Sequence, residues 1–224
     1  CGEIILSPYD SCRLMLVNLT SFVEDSWSPS ASFDYNSFAK VVQQAQRLMD
    51  DMIDLEIEQV DKILDKIDSD PESDEVKYYE RSLWHNVRQA ALKGRRTGLG
   101  ITGLGDALAM LGQLYGSKVS IETTEKIYKW LTVNSYESSI ILAKERGSFP
   151  VWDLKKEEGH IFLDRIISEL PHERIKDYKN CGRRNIANTT TAPAGSVSMM
   201  TQTTSGIEPV FMLHYKRRKK INPN

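Results

Sequence analysis

Residues 94–106 read Gly-Arg-Arg-Thr-Gly-Leu-Gly-Ile-Thr-Gly-Leu-Gly-Asp. The part from Gly98 to Gly103 fits the dinucleotide-binding pattern G-x-G-x-x-G letter for letter, but that fingerprint needs a buried apolar strand directly before it. Basic and polar residues precede it instead. We therefore expect the glycines to let a strand or turn pass close to packed neighbours, ahead of a helix from Asp106 to Leu111. A dinucleotide site at Gly98–Gly103 stays as an alternative.

Long helices are predicted on both sides of this segment. The first is capped by Asp34 or Asn36 and carries apolar residues at helical spacing as far as Ile67. Its second half, Ile53 to Ile67, could also be an interaction seam, although two heptads are too few for a coiled coil. Further helices are expected over 76–94, 121–146, 161–170 and 172–179.

Few strands are predicted between these helices. The stretch Leu14–Leu19 is apolar apart from Asn18, which is typical of a short strand buried on both faces. Strands separated by long helices are typical of a fold in which helices return each strand. The sequence therefore predicts a helix-rich α/β domain.

Residues 189–205 read Thr-Thr-Thr-Ala-Pro-Ala-Gly-Ser-Val-Ser-Met-Met-Thr-Gln-Thr-Thr-Ser and predict an anion-binding loop. Pro193 fixes its own backbone φ, and Gly195 has no Cβ to hold a ligand away. The amides of Ala194, Gly195 and Ser196 can then approach a phosphate, with hydroxyl groups as further donors. A surface turn is the alternative, because Ser/Thr-rich clusters usually mark loops.

Two cysteines near the start of the chain point to redox chemistry. Cys1 and Glu3 are two residues apart, so on an extended segment a thiol and a proton acceptor project to the same side. Cys12 follows after a predicted turn. A structural role is the default for isolated cysteines, and Cys181 is interpreted as incidental because nothing pairs with it in the sequence.

Composition argues against several classes of function. The net charge of −2 and the pI near 6.1 give no reason to expect nucleic acid or an anionic membrane as the main partner. The basic run Lys216–Lys220 is interpreted as a solvated chain end. There is no apolar run of membrane-spanning length and no signal-like amino terminus. Three cysteines without metal-ligand spacing predict no metal site and a reducing, cytoplasmic location.

Four blocks occur in order along the chain: Cys1-Gly2-Glu3 leading to Ser11-Cys12 and Val17-Asn18-Leu19, then Gly94 to Asp106, Ala192 to Ser198, and Ser205 to Phe211. Together they resemble the large catalytic subunit of ribonucleotide reductases. The Ala-Pro-x-Gly loop followed by Ser-Gly-Ile-Glu-Pro is more similar to the adenosylcobalamin-dependent class II branch. The resemblance covers the chain from residue 1 to about residue 211.

The resemblance implies a ten-stranded α/β barrel with a finger loop through its centre. This chain would supply the thiol end of the finger loop and about the second half of the barrel, and the amino-terminal half would be absent. Residues 1–224 would then be a partial catalytic domain, inactive alone, with apolar strand edges uncovered. Because an asparagine that binds substrate in the family is missing before Cys1, one hypothesis is an intein inserted at that point.

The resemblance also implies roles in reducing ribonucleotides to deoxyribonucleotides for DNA synthesis. Cys1 would be the thiyl radical that removes hydrogen from the ribose 3′ carbon, and Glu3 would take the 3′-hydroxyl proton. Cys12 would be one of two cysteines that reduce the 2′ position and close a disulfide, which an external dithiol reopens. The family commonly has threonine where Ala194 stands. The substrate phosphates would be held by Pro193, Ala194, Gly195, Ser196 and Val197.

The class II likeness implies adenosylcobalamin as the radical source, and a separate di-iron or di-manganese radical subunit is the alternative. The implied partners are a ribonucleotide diphosphate or triphosphate, a thioredoxin-like reductant, the missing amino-terminal part and a second copy in a homodimer. Two other functions stay open on the residues alone. They are a dinucleotide-dependent oxidoreductase using Gly98–Gly103 and a non-enzymatic helical interaction module using Ile53–Ile67.

Overall fold

The computed structural model describes residues 3–214, 216 and 218. The predicted radical cysteine, Cys1, and most of the basic run 216–220 lie outside the described residues. The elements are β1 (Leu14–Asn18), a 3-10 turn (Leu19–Phe22), β2 (Val23–Glu24), β3 (Ser32–Phe33), α1 (Tyr35–Ser69), α2 (Asp74–Gly94), β4 (Gly98–Thr102), α3 (Leu104–Met110), α4 (Lys118–Arg146), α5 (Leu154–Glu157), α6 (Ile161–Ile167), α7 (His172–Cys181) and α8 (Val197–Thr201). The predicted helix-rich α/β class is confirmed.

Three extended segments lie side by side around β4. On one side, β1 pairs with β4 in parallel. On the other side, the N–H of Leu99 donates to the carbonyl of Asn188 at 2.7 Å, and the N–H of Thr190 donates to the carbonyl of Leu99 at 2.9 Å. The segment 187–190 therefore runs parallel to β4. The described residues form no closed sheet, so the ten-stranded barrel stays a prediction.

The long helices follow the predicted spacing. Asp34 caps α1, because its carboxylate accepts hydrogen bonds of 3.0 Å from the backbone amides of Asn36 and Ser37. The helix α2 ends at Gly94 as expected, but the residue that adopts the left-handed conformation is Arg95, with φ 44°. The prediction of helices over 121–146, 161–170 and 172–179 is confirmed by α4, α6 and α7, and the short helix α5 is an addition.

The strand β1 is buried on one face only, so the expectation of burial on both faces is wrong. Val17 is buried, whereas Leu14 is 38% exposed. Among the described residues β1 has a paired neighbour on one side alone. Its other edge adjoins a groove that it shares with Val41 and Leu48 of α1, both exposed.

The glycine-rich segment forms the buried strand β4 rather than a turn. All five of its residues are buried. A Cβ added at Gly100 would lie 2.7 Å from Leu16 Cδ2 and 2.8 Å from the carbonyl oxygen of Thr190. The expectation that glycine permits close packing is therefore confirmed. The dinucleotide alternative is wrong, because its first two glycines lie inside the strand and not in a phosphate-binding turn after it.

The second half of α1 packs against α2. Ile53 and Ile57 are buried together with Ala91, and Leu92 packs beside them. The seam from Ile53 to Ile67 is therefore an internal contact between two helices of the same chain. The alternative of an interaction module built on this seam is wrong.

A buried carboxylate on α1 joins the ends of α2 and α4 to the segment that follows α7. Asp50 has no exposed surface. Its oxygens accept hydrogen bonds at 2.8 to 3.2 Å from Arg95, Arg146, Arg184 and Asn185. Burial alone would raise the pKa of Asp50, but the hydrogen bond and charge of Arg95, followed by those of Arg184, outweigh it and lower the pKa.

We expect Gly100→Ala to lower the free energy of unfolding by about 1–3 kcal/mol, because the new methyl group would overlap Leu16 and the backbone of Thr190. Urea denaturation measures the change. Gly98→Ala is the matched comparison, since its Cβ would meet nothing closer than 3.1 Å and should destabilise less. Equal losses for the two variants would contradict the assigned contact.

We expect Asp50→Asn to lower the free energy of unfolding by roughly 3–5 kcal/mol, because it leaves buried arginines without their counter-charge. Asp51→Asn is the control: its carboxylate pairs with Arg146 but is 44% exposed, so about 0–1 kcal/mol is expected. The pKa of Asp50 is lowered in the folded state, so its contribution is present above the unfolded pKa of about 3.9 and is lost as pH falls through the folded pKa. The difference between wild type and Asp50→Asn should therefore shrink in acid, and a pH-independent difference would contradict the assignment.

Candidate active site

Segments that carry two of the predicted catalytic residues, Glu3 and Cys12, come together around the first residue of β4. The hydroxyl of Thr190 donates a hydrogen bond to the backbone carbonyl of Glu3 at 2.7 Å. A Cβ added at Gly98 would lie 3.1 Å from Thr190 Cγ2 and 3.2 Å from Cys12 Sγ. Cys12 and the residue that holds Glu3 therefore flank the same glycine.

The charges around Cys12 have opposing effects on its thiol. Partial burial of the sulfur raises the pKa most, and the carboxylate of Glu3 raises it further. The guanidinium groups of Arg13 and Arg96 act in the opposite direction without cancelling the increase. The net effect is a pKa of the exposed Cys12 thiol above its ordinary value.

A cavity of about 570 Å³ opens beside Glu3. Its wall is formed by Tyr128 and Thr132 of α4, Phe162 of α6 and the segment 189–191. The hydroxyl of Tyr128 lies 3.3 Å from Thr191 Oγ1, which ties α4 to this segment. The volume is within the range of small-molecule sites.

The predicted phosphate loop is an exposed turn that leads into α8. Gly195 has φ 58°, and the space that a Cβ would fill is open. The amide of Ala194 donates to the carbonyl of Ser205. The prediction that this amide binds an anion is therefore wrong. In the described part of the chain, the amides of Gly195 and Ser196 make no hydrogen bond. These two residues and Val197 are exposed, which leaves them accessible to a ligand.

The far end of this loop is held by β4 and α3. The carboxylate of Asp106 accepts hydrogen bonds from the amide of Thr204 at 2.6 Å and from the hydroxyl of Thr204 at 3.0 Å. The hydroxyl of Thr102 donates to the carbonyl of Thr204 at 2.8 Å. Sequence reasoning missed Thr102, Asp106 and Thr190 as site-forming residues, although each lies in or beside one of the motif blocks.

The fourth motif block packs directly on the first turn of α3. A Cβ at Gly105 would lie 2.6 Å from the Cα of Pro209. The glycine-rich block and the fourth block are therefore in contact through backbone surfaces that a side chain at Gly105 would separate.

The remaining site predictions concern metals, membranes and the third cysteine. Residues 3–214, 216 and 218 contain no cluster of three or more His, Cys, Asp or Glu side chains suited to a metal ion. No helix in this part of the chain combines the length and apolar character needed to cross a bilayer. Cys181 is half-buried at the end of α7 and carries a free thiol.

The sequence profile of the family described as "Ribonucleotide reductase, barrel domain" matches residues 1–222. The chain belongs to this family. It is similar to the vitamin B12-dependent ribonucleoside-diphosphate reductase of Thermoplasma acidophilum, with 30% identity over 97% of this chain and 22% of the relative. It is 28% identical to the protein of the same name from Mycobacterium tuberculosis, over 97% of this chain and 24% of that relative. It is 25% identical to a ribonucleoside-diphosphate reductase subunit alpha of Chlamydia pneumoniae, over 94% of this chain and 20% of that relative.

The resemblance inferred from the four blocks is thus confirmed at the level of the family. This ribonucleotide reductase barrel sequence spans between a fifth and a quarter of the length of the curated relatives it matches. The match includes all four motif blocks.

In this reductase-family chain we expect Asp106→Ala to speed amide hydrogen exchange at Thr204 at least tenfold, because the variant removes the carboxylate that accepts this N–H. Exchange followed by NMR reports on that single amide. Asp164→Ala on the exposed face of α6 is the control and should leave exchange at Thr204 unchanged. Equal exchange at Thr204 in wild type and Asp106→Ala would show that Asp106 does not anchor the loop.

Proposed function

We propose that this chain is part of the catalytic subunit of a ribonucleotide reductase. The observation that carries the proposal is that Cys12 and Thr190, whose hydroxyl binds the backbone of Glu3, both lie against Gly98 in a chain of this family. The relatives are about four to five times longer, so other parts of the same subunit would complete the site. The complete domain would be the ten-stranded barrel, with β1, β4 and 187–190 as neighbouring strands.

The reaction starts with transfer of a hydrogen atom. A thiyl radical on Cys1 takes the 3′ hydrogen of the ribose, so an S–H bond forms and the C3′ carbon is left with the unpaired electron. Glu3 accepts the proton of the 3′-hydroxyl as the 2′-hydroxyl departs as water. Thr190 supports this step by holding the backbone of Glu3.

Reduction of the 2′ carbon consumes two thiols. Cys12 and a second cysteine on the part of the subunit beyond this chain supply two electrons and two hydrogens and form a disulfide. One of the two hydrogens leaves as a proton in the water and the other forms the new C–H bond at C2′. Glu3 returns its proton to the 3′ oxygen, and the hydrogen first taken by Cys1 returns to C3′. A thioredoxin-like dithiol then reduces the disulfide by exchange.

The loop Pro193–Val197 holds the substrate phosphates in this proposal. Support comes from the exposed amides of Gly195 and Ser196, and from the contact that fixes the loop to β4 and α3 through Thr204. Thr190 and Pro193 are three residues apart, a distance of at most about 11 Å along an extended chain. The loop therefore begins close to Thr190, which binds the backbone of Glu3. Fixing the phosphates there makes the radical step effectively intramolecular.

Adenosylcobalamin is the proposed radical source, because two of the relatives are named vitamin B12-dependent. When bound, it supplies the one-electron oxidation that turns a thiol into a thiyl radical. The cavity beside Glu3 has the size of a nucleoside site and does not enclose a corrin ring, so the described residues alone do not form the cofactor site. A di-iron or di-manganese radical subunit is the alternative source.

The other proposed partners follow from the same reaction. They are a ribonucleoside diphosphate or triphosphate, the thioredoxin-like reductant and a second copy of the complete subunit. The reducing cytoplasm is the proposed compartment, because the mechanism needs free thiols.

We expect Cys1→Ser and Cys12→Ser to abolish multiple-turnover formation of deoxyribonucleotide in the complete subunit, and Glu3→Gln to slow it by about 10²- to 10⁴-fold. The assay supplies a ribonucleotide, adenosylcobalamin and a dithiol, and separates products by chromatography. Cys181→Ser is the matched control and should keep full activity. Sustained turnover by Cys12→Ser would overturn the proposal. So would a wild-type subunit that reduces neither ribonucleoside diphosphates nor triphosphates with either radical source.

A further inference from the structure

Cys12 is fixed between two charged residues whose side chains are buried. The side chains of Asp10 and Arg13 are 3% and 6% exposed. Asp10 accepts a hydrogen bond from Arg13 at 3.2 Å with one carboxylate oxygen and from Arg96 Nε at 2.8 Å with the other. One carboxylate therefore joins the segment that carries Cys12 to the residues entering β4.

Further bonds fix the backbone on both sides of the thiol. Arg13 donates to the carbonyl of Arg96 and to that of Ser11, each at 3.2 Å. It also pairs with Glu56 of α1, at 3.0 Å from one of the carboxylate oxygens. The amide of Ser11 donates to Asp10 at 2.9 Å, and its hydroxyl lies 3.3 Å from Glu56. The neighbours of Cys12 are thus tied to one another, to α1 and to β4.

Burying such charges costs desolvation free energy, so the ion pairs by themselves are weak evidence of a stabilising role. Apolar residues of similar volume often give a fold of equal stability. The charges are nevertheless placed on both sides of a redox-capable thiol. We propose that Asp10, Arg13 and Arg96 form a positioning unit that holds the Cys12 thiol beside Gly98 and sets the pH range in which it reacts. The inference rests on the proposed function only for the role that it gives to Cys12.

The sign of each charge leads to a distinct expectation. Glu3 and Asp10 raise the pKa of Cys12, and Arg13 and Arg96 lower it. Glu56 pairs with Arg13 and balances part of its charge. Loss of the positive charge at residue 96 should therefore raise the pKa of Cys12, whereas loss of the negative charge at residue 10 should lower it. Simple loosening of the segment would move both variants in the same direction.

The test measures alkylation of Cys12 by iodoacetamide between about pH 7 and pH 10.5 in wild type, Arg96→Gln, Asp10→Asn and Arg96→Lys. Chymotrypsin cleaves after Tyr9, which separates Cys12 from Cys1 and Cys181 before mass spectrometry. Cys181 serves as the internal control for the fold, because it is half-buried far along the chain and should react equally in all four proteins.

We expect the midpoint of the Cys12 pH profile to rise by about 0.5–1 unit in Arg96→Gln and to fall by a smaller amount in Asp10→Asn, with Arg96→Lys close to wild type. At a fixed pH below the midpoint, the shift in Arg96→Gln corresponds to a roughly three- to tenfold change in rate. Shifts in the same direction for Arg96→Gln and Asp10→Asn, or no shift in either, would overturn the inference. Alkylation needs no substrate or radical, so this outcome is independent of whether the reductase assay succeeds.

Discussion

The close approach of three extended segments at β4 is the constraint on which the rest of the structure depends. The space at Gly100 is filled from both sides, by Leu16 of β1 and by the backbone of Thr190. Only a residue without Cβ allows these segments to lie so near one another. Because Thr190 also holds Glu3, and Cys12 lies against Gly98, the same packing that builds the core brings the candidate site together.

Buried ion clusters then fix the segments that β4 brings together. Asp50 joins the ends of α2 and α4 to the segment leading toward Thr190, and Asp10 joins the Cys12 segment to β4. In each cluster one carboxylate is shared by arginines from different parts of the chain. Such ion pairs offset the free-energy cost of desolvating the carboxylate only when both of its oxygens accept well-oriented hydrogen bonds. The fold and the site therefore depend on each other, since each cluster borders a segment that reaches the candidate site.

The sequence was most informative where structure depends on neighbours along the chain. The cap at Asp34, the end of α2 at Gly94 and the end of α4 at Gly147 follow from hydrogen bonds and backbone conformations within a few residues. It was least informative about β1, because burial of a strand face depends on segments far away in the sequence. The same limit applies to the G-x-G-x-x-G pattern, which fits both a phosphate-binding turn and a closely packed strand. Only the contacts of Gly100 with Leu16 and Thr190 show that it is the strand.

The sequence by itself determined the family and the helix-rich α/β class, because these are encoded in motif order and local periodicity. The tertiary structure alone decided that Cys12 and Thr190, which binds the backbone of Glu3, both lie against Gly98, and that Ala194 uses its amide within the protein rather than for a ligand. It also decided the charges that surround the Cys12 thiol. The physical reason is that these contacts join residues far apart in the chain, whose distances depend on the packing of the whole core.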